Sequence, residues 1–202
     1  MADEPVEVAE QQTDEHEIEK PRLDPEVEAR RAAAMSFIRR LGDPVLKSRA
    51  TEVEHFDESL GNQVARMAGL MNDALGIGLA APQLGISQRL VVYRLGPDAP
   101  VIALANPEIE WQSDEADVLE EGCLSLPGIQ MDVERPVHVR VRARDEEGDE
   151  RLIEASGLEA RVIQHEMDHL DGVLILDRGT REQRKEAMRA MRESEERREH
   201  AA

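Results

Sequence analysis

Phe56, Leu60, Val64, Met67 and Met71 recur at spacings of four, four, three and four, the repeat of an amphipathic helix with one apolar stripe. Gly76 and Gly78 interrupt the pattern and are expected to end that helix. Beyond them the period changes. Leu90 to Leu95 and Val101 to Ala105 are short β-rich runs, and Val137 to Ala143 alternates valine with His138, Arg140 and Arg142, as a half-buried strand requires. Asp145 to Asp149, acidic and containing Gly148, predicts a hairpin turn into a strand over Leu152 to Ala155. Ser156 and Glu159 then form the capping pattern S-x-x-E, which places a helix over Leu158 to Leu170 with Gly172 close to its end. The polar stretch Thr180 to His200, rich in helix formers and with Met188 and Met191 on one side, predicts a final helix.

Composition separates a leader from the body of the chain. Residues 1–34 carry Asp or Glu at 11 positions and Lys or Arg at 4, with Pro5, Pro21 and Pro25 and no aromatic residue. Such a segment buries too little to offset its ordering entropy and reads as a disordered acidic tail, although Glu26 to Arg40 has the makings of a helix at its end. A globular segment over 35–178 and a C-terminal helix over 179–202 complete the expected organisation. The full chain has 202 residues, enough for one ordinary domain, and with only Phe37, Phe56, Tyr93 and Trp111 as aromatics its core must be aliphatic. A single cysteine excludes a disulfide scaffold and fits a reducing compartment. The net charge of −19, from 25 basic and 44 acidic residues, repels phosphate polymers and argues against dedicated nucleic-acid binding. No apolar run approaches the ~18 residues of a membrane span, and the acidic start is unlike a signal peptide, so the expected location is the cytoplasm.

The chemistry is concentrated on the second predicted helix. His165, Glu166 and His169 form H-E-x-x-H, whose i, i+4 spacing brings both imidazoles to one face. Leu158 and Val162 share that face, so the histidines point inward, where a pair at ligand spacing is best explained by a metal ion. In the longer pattern H-E-x-x-H-x-x-G-x-x-H the last histidine is replaced by Ile175, so a third ligand must come from upstream. Cys123, His138 and His55 are the candidates. Cys123, in the strand-like Glu121-Gly122-Cys123-Leu124-Ser125, is the best of them because thiolate binds borderline metals strongly, whereas His138 falls at an outward strand position. Three protein ligands leave a fourth position for water, the pattern of a hydrolytic site, with Glu166 free to take and return a proton.

Gly76 to Gln83, GIGLAAPQ, lacks the third glycine of a dinucleotide loop and the Lys-Ser/Thr of a P-loop. Its small residues suit close approach to a substrate, with Gln83 offering an amide donor where negative charge develops. Taken in order, GIGLAAPQ, EGCLS and QHEMDHL resemble the three signature motifs of the peptide deformylase family, whose members remove the formyl group from the initiator methionine of nascent bacterial polypeptides. The resemblance runs from about Ser36 to the C-terminal helix.

That resemblance implies an α+β fold, with mixed or antiparallel strands around a central helix bearing H-E-x-x-H and a C-terminal helix outside. It implies that Cys123, His165 and His169 hold the metal, that Glu166 is the general acid and base, and that the Gln83 side chain and the Leu124 backbone N–H stabilise the oxyanion. Ile77 and Gly78 would pair with substrate backbone, while Leu158 and Val162 would line the methionine pocket. The implied metal is Fe2+, with Zn2+, Ni2+ or Co2+ able to replace it; the substrate is the N-formyl-methionyl nascent polypeptide. The stretch from Arg178 onward carries eight basic and six acidic residues, a local excess of +2 (8 − 6) laced with pairs such as Glu193 with Arg197, and weak ribosome contact is implied there. The chain departs from the family pattern at Gln130, where some members carry arginine, at Arg161, often apolar, and in the acidic leader. Two other readings stay open: another HExxH zinc peptidase or amidase, and a non-catalytic metal-stabilised interaction domain.

Overall fold

The structure, a computed structural model, describes residues 23–200; the expected acidic tail lies outside the described residues over 1–22. From Pro25 onward that expected tail is helical. Helix α1 (Pro25–Met35) is capped by the Asp24 side chain and carries proline in its first turn. Helix α2 (Glu58–Asp73) starts two residues after Phe56, because the Asp57 carboxylate accepts from the backbone N–H groups of Ser59 and Leu60 and fixes the N-terminus there. No glycine ends α2. Leu75 takes the left-handed conformation at φ 61°, with the Gly76 N–H bonded to the Met71 carbonyl and the Leu75 N–H to that of Asn72.

A five-stranded antiparallel sheet follows, built from β1 (Gly78–Ala80), β2 (Leu90–Tyr93), β3 (Ile102–Gln112), β6 (His138–Arg144) and β7 (Glu150–Ser156) in that order across the sheet. Between β3 and β6 in sequence, β4 (Ala116–Cys123) and β5 (Leu126–Pro136) form a separate two-stranded hairpin. Strand β2 is apolar throughout because both of its faces are covered. Leu90 and Val92 pack towards Leu60, Val64, Met67 and Met71 of α2, while Val91 and Tyr93 pack towards Ile163, Met167 and Leu170 of helix α3 (Leu158–Leu170). Strand β6 buries only Val139, Val141 and Ala143, which is the alternation visible in its sequence.

The expected capping box at Ser156 does not form. Ser156 still belongs to β7 and its hydroxyl lies 2.8 Å from His138 Nδ1, while Glu159 accepts from the Tyr93 hydroxyl. Gly157 at φ 56° makes the abrupt change from strand to helix instead, a conformation that a side chain would strain. Helix α3 is thus held between the sheet and the β4–β5 hairpin. After it come the short α4 (Ile175–Arg178) and the long α5 (Arg181–His200). Ala187, Met188 and Met191 of α5 join Leu174, Ile175 and Leu176 against Ile129, Met131 and Val133 of β5. The C-terminal helix is therefore part of the wall behind the hairpin and not a detached appendage. Glu193 pairs with Arg189, one turn before it, where Arg197, one turn after it, was expected. Among the described residues no helix is long and apolar enough to cross a membrane.

Candidate active site

The register of the β4–β5 hairpin breaks between Gly122, opposite Gln130, and Cys123, opposite Leu126. That irregularity turns Cys123 towards α3, where Cys123 Sγ lies 3.3 Å from His169 Nε2. His165 and His169 stand one turn apart with ring centroids 5.1 Å from each other and planes at 74°. One donor atom from each of Cys123, His165 and His169 lies within 4.8 Å of the others, and among the described residues no other cluster of three such side chains could hold a metal. The other two candidates for the third ligand are elsewhere: His138 bonds to Ser156 on the sheet, and His55 is exposed beyond the start of α2.

His165 Nδ1 donates to Glu121 Oε2 at 2.9 Å, which fixes the tautomer and leaves Nε2 as the inward-facing donor. Glu121 is in turn held by Arg135, whose Nε and Nη2 donate to its two carboxylate oxygens at 2.6 and 2.9 Å. Arg135 also reaches Asp168 of α3 at 3.0 Å, and Arg178 closes on the same carboxylate. These outer partners were not singled out in the sequence. Strand parity held the signal: Met131, Val133 and Arg135 alternate inward on β5, and Glu121 lies two residues before Cys123 on the corresponding face of β4.

Gln83 sits in the 3-10 turn after β1, almost wholly buried. Its Oε1 accepts from the Ala80 N–H at 2.9 Å, which forces Nε2 the other way, towards Ser125 Oγ at 3.2 Å and Cys123 Sγ at 3.8 Å. Its amide protons are thus aimed into the site. Gly78 lies directly against Glu166: a Cβ there would fall 2.3 Å from Glu166 Oε1. The close approach requires glycine.

These groups share one cavity of about 170 Å³, lined among others by Ile77, Gly78, Gln83, Leu124, Leu158 and Val162. That volume is below the ~300–1,000 Å³ of pockets for drug-sized ligands and suits one small group with its flanking backbone. Val162 is buried in the wall, whereas Leu158 (57% exposed) and Ile77 (47%) stand at the rim. Leu124 occupies the turn between β4 and β5. Strand β1 is the sheet's edge, paired with β2 on one side only.

Electrostatics divides the site into two kinds of carboxylate. Burial pushes Glu166 above the usual carboxylate range, only partly countered by the two imidazoles. Burial also opposes ionisation of Glu121, but the bonds from Arg135 and His165 outweigh it and hold Glu121 down at about 2. The Cys123 thiol would be raised by burial, yet His169 and His165 bring it down to about 5. For His165, burial opposes the charge while Cys123 and Glu121 raise it to about 10. A thiolate stabilised by imidazolium is what a bound cation would replace, with release of the imidazole proton. One atom fits the same picture, since Glu166 Oε2 is buried without a hydrogen-bond partner. A sulfur and two imidazole nitrogens converging beside a partnerless buried carboxylate suit a borderline divalent metal.

An α+β fold whose H-E-x-x-H helix meets an upstream cysteine defines a class of hydrolase site distinct from those completed by a downstream histidine. Comparison with known proteins narrows the class. The family model for polypeptide deformylase matches residues 35–185. A peptide deformylase of Natranaerobius thermophilus is 49% identical over 145 residues, covering 72% of this chain and 92% of its own length. A peptide deformylase of Legionella pneumophila of known structure superposes with a TM-score of 0.76 at 40% identity, over 80% of this chain and 95% of that one. Another, from Synechococcus elongatus in complex with actinonin, gives a TM-score of 0.74 at 44% identity, over 76% and 86%. The chain belongs to the polypeptide deformylase family and is an enzyme of that family.

Proposed function

We propose that this enzyme removes the N-formyl group from the formyl-methionine that begins nascent polypeptides. The observation that carries the reading is the convergence of Gln83, Glu166, Cys123 and His165 on one small cavity beside the free edge of β1, with His169 against Cys123 completing the cluster. Cys123, His165 and His169 would hold a metal ion, which when bound would supply a Lewis acid and lower the pKa of a water. Glu166 takes the proton from the attacking water and delivers it to the departing amine, a role its raised pKa favours. The Gln83 amide and the Leu124 N–H donate to the formyl oxygen as it becomes negative. Ile77 and Gly78 bind the peptide backbone as an added strand, and Leu158 and Val162 flank the methionine side chain. Backbone pairing leaves the following sequence unread. Two imidazoles and a thiolate serve iron as well as zinc. We assign Fe2+ as the native ion, with Zn2+, Ni2+ or Co2+ as working replacements, and the cytoplasm, where formylated chains emerge, as the place of action.

Formate release from a short formyl-Met peptide, compared with cleavage of its acetyl-Met counterpart, tests the reading. Rapid deformylation with little deacetylation is expected. Equal cleavage of both, or cleavage of internal peptide bonds, would assign the site to another kind of HExxH amidase or peptidase.

A further inference from the structure

Arg161 lines the cavity but has no part in the chemistry above. It lies on α3 one turn before His165, and its side chain is nearly all buried. A buried cation is costly unless its donors are used, and here they are. One guanidinium branch donates to Glu121 Oε1 at 2.7 Å and to the Val133 carbonyl at 2.9 Å. The other donates to Asp117 Oδ1 at 2.5 Å and to the Asp117 carbonyl at 3.0 Å. One side chain of the histidine-bearing helix therefore grips both strands of the hairpin that carries Cys123. Glu121 Oε1 is shared by Arg161 and Arg135, while Oε2 meets His165.

We infer that Arg161 is a positioning residue for the metal centre, an inference that rests on the reading of Cys123, His165 and His169 as ligands. It fixes the hairpin against α3, and so the separation of Cys123 from the two histidines, and it helps orient the carboxylate that orients His165. Arg135 does not duplicate it. Arg135 sits on the hairpin itself and reaches α3 through Asp168, whereas Arg161 reaches from α3 to the outer end of β4 at Asp117. Leucine or methionine at this position would suit the pocket wall but would leave Asp117 and the Val133 carbonyl without their partner.

The test is Co2+ binding to the full-length protein, followed by the absorption of thiolate-bound cobalt against a competing chelator, with thermal stability measured alongside. Arg161→Met is expected to weaken Co2+ binding by about 10–100-fold, the usual cost of losing an outer partner of a metal ligand. Arg161→Lys should restore only part of the loss, since one ammonium cannot bridge Glu121, Asp117 and Val133 together. Should Arg161→Met fail to fold, Arg161→Lys carries the test, with weakened binding supporting the inference and wild-type binding overturning it. A lower melting temperature with unchanged Co2+ affinity would make Arg161 structural only and overturn the role. His165→Ala separates the two levels. If it loses Co2+ while Arg161→Met binds normally, only the role of Arg161 falls; if it binds Co2+ like the wild type, the metal centre falls with it.

Discussion

Two buried carboxylates in one site are driven apart by their neighbours. Glu121 has two guanidinium partners and an imidazole N–H, whereas Glu166 has an oxygen with none. Glu121 therefore stabilises the fold as an anion. A carboxylate held near 2 against an ordinary value of 4.5 contributes fully above the higher value, and the contribution fades as pH falls towards the lower. In metal-free protein, the melting temperature of the wild type should exceed that of Glu121→Gln most at about pH 6, the gap narrowing below about pH 4.5 and largely gone only at about pH 2; a constant gap would deny the charge its part. Gln83→Ala is expected to lower kcat by about 10²–10³-fold, the effect of losing one donor to a developing oxyanion. A rise in KM alone would make Gln83 a substrate-binding group only. Gly78→Ala should be nearly inactive while still binding metal, because the added methyl meets Glu166 first and displaces it. Most of these residues were legible in the sequence, since H-E-x-x-H fixes its own geometry. For the third ligand the sequence offered three candidates and favoured Cys123 on its chemistry, but did not reveal the register break at Gly122 that turns Cys123 inward.

Among the elements, α2 and β6 were readable because each buries a single face, and periodicity records that directly. Strand β4 was not. Its residues from Ala116 to Glu120 are largely exposed, so no apolar alternation marks it, and it exists because β5 pairs with it and Arg161 holds it down. The capping pattern at Ser156 misled for a related reason: His138 and Tyr93 claim its two side chains from other strands, and a glycine makes the turn. The end of α2 offers an independent test. Leu75 is half exposed yet left-handed, a conformation that costs a residue with a Cβ about 1 kcal/mol or more. Leu75→Gly should therefore raise stability by about 0.5–1 kcal/mol, after the greater freedom of glycine in the unfolded chain is counted. A destabilised variant would mean that the Leu75 side chain holds the loop leading to Gly76.

At the scale of the molecule, the hairpin that carries Cys123 is clamped from two sides, by α3 through ion pairs and by α4 and α5 through apolar packing. Removing α5 by truncation after Gly179 should cost about 2–4 kcal/mol, the scale of uncovering Met188, Met191 and the β5 residues beneath them. Melting should fall by about 5–15 °C. Truncation is accordingly a poor probe of any partner of this helix, and charge reversal is the cleaner one. Arg184, Lys185 and Arg192 are exposed on α5, and if they meet ribosomal phosphates, reversing them should weaken salt-sensitive ribosome co-sedimentation while leaving deformylation of short peptides intact. Binding unchanged by reversal or by salt would leave α5 as scaffold. The central claim, that Glu166 drives formyl hydrolysis beside a metal it does not hold, is tested most directly by formate release from a formyl-Met peptide by wild type and Glu166→Gln at equal measured metal content. The account predicts that the variant keeps its metal and loses about 10²–10⁴-fold or more in rate; a variant that loses its metal, or turns over at the wild-type rate, would contradict it.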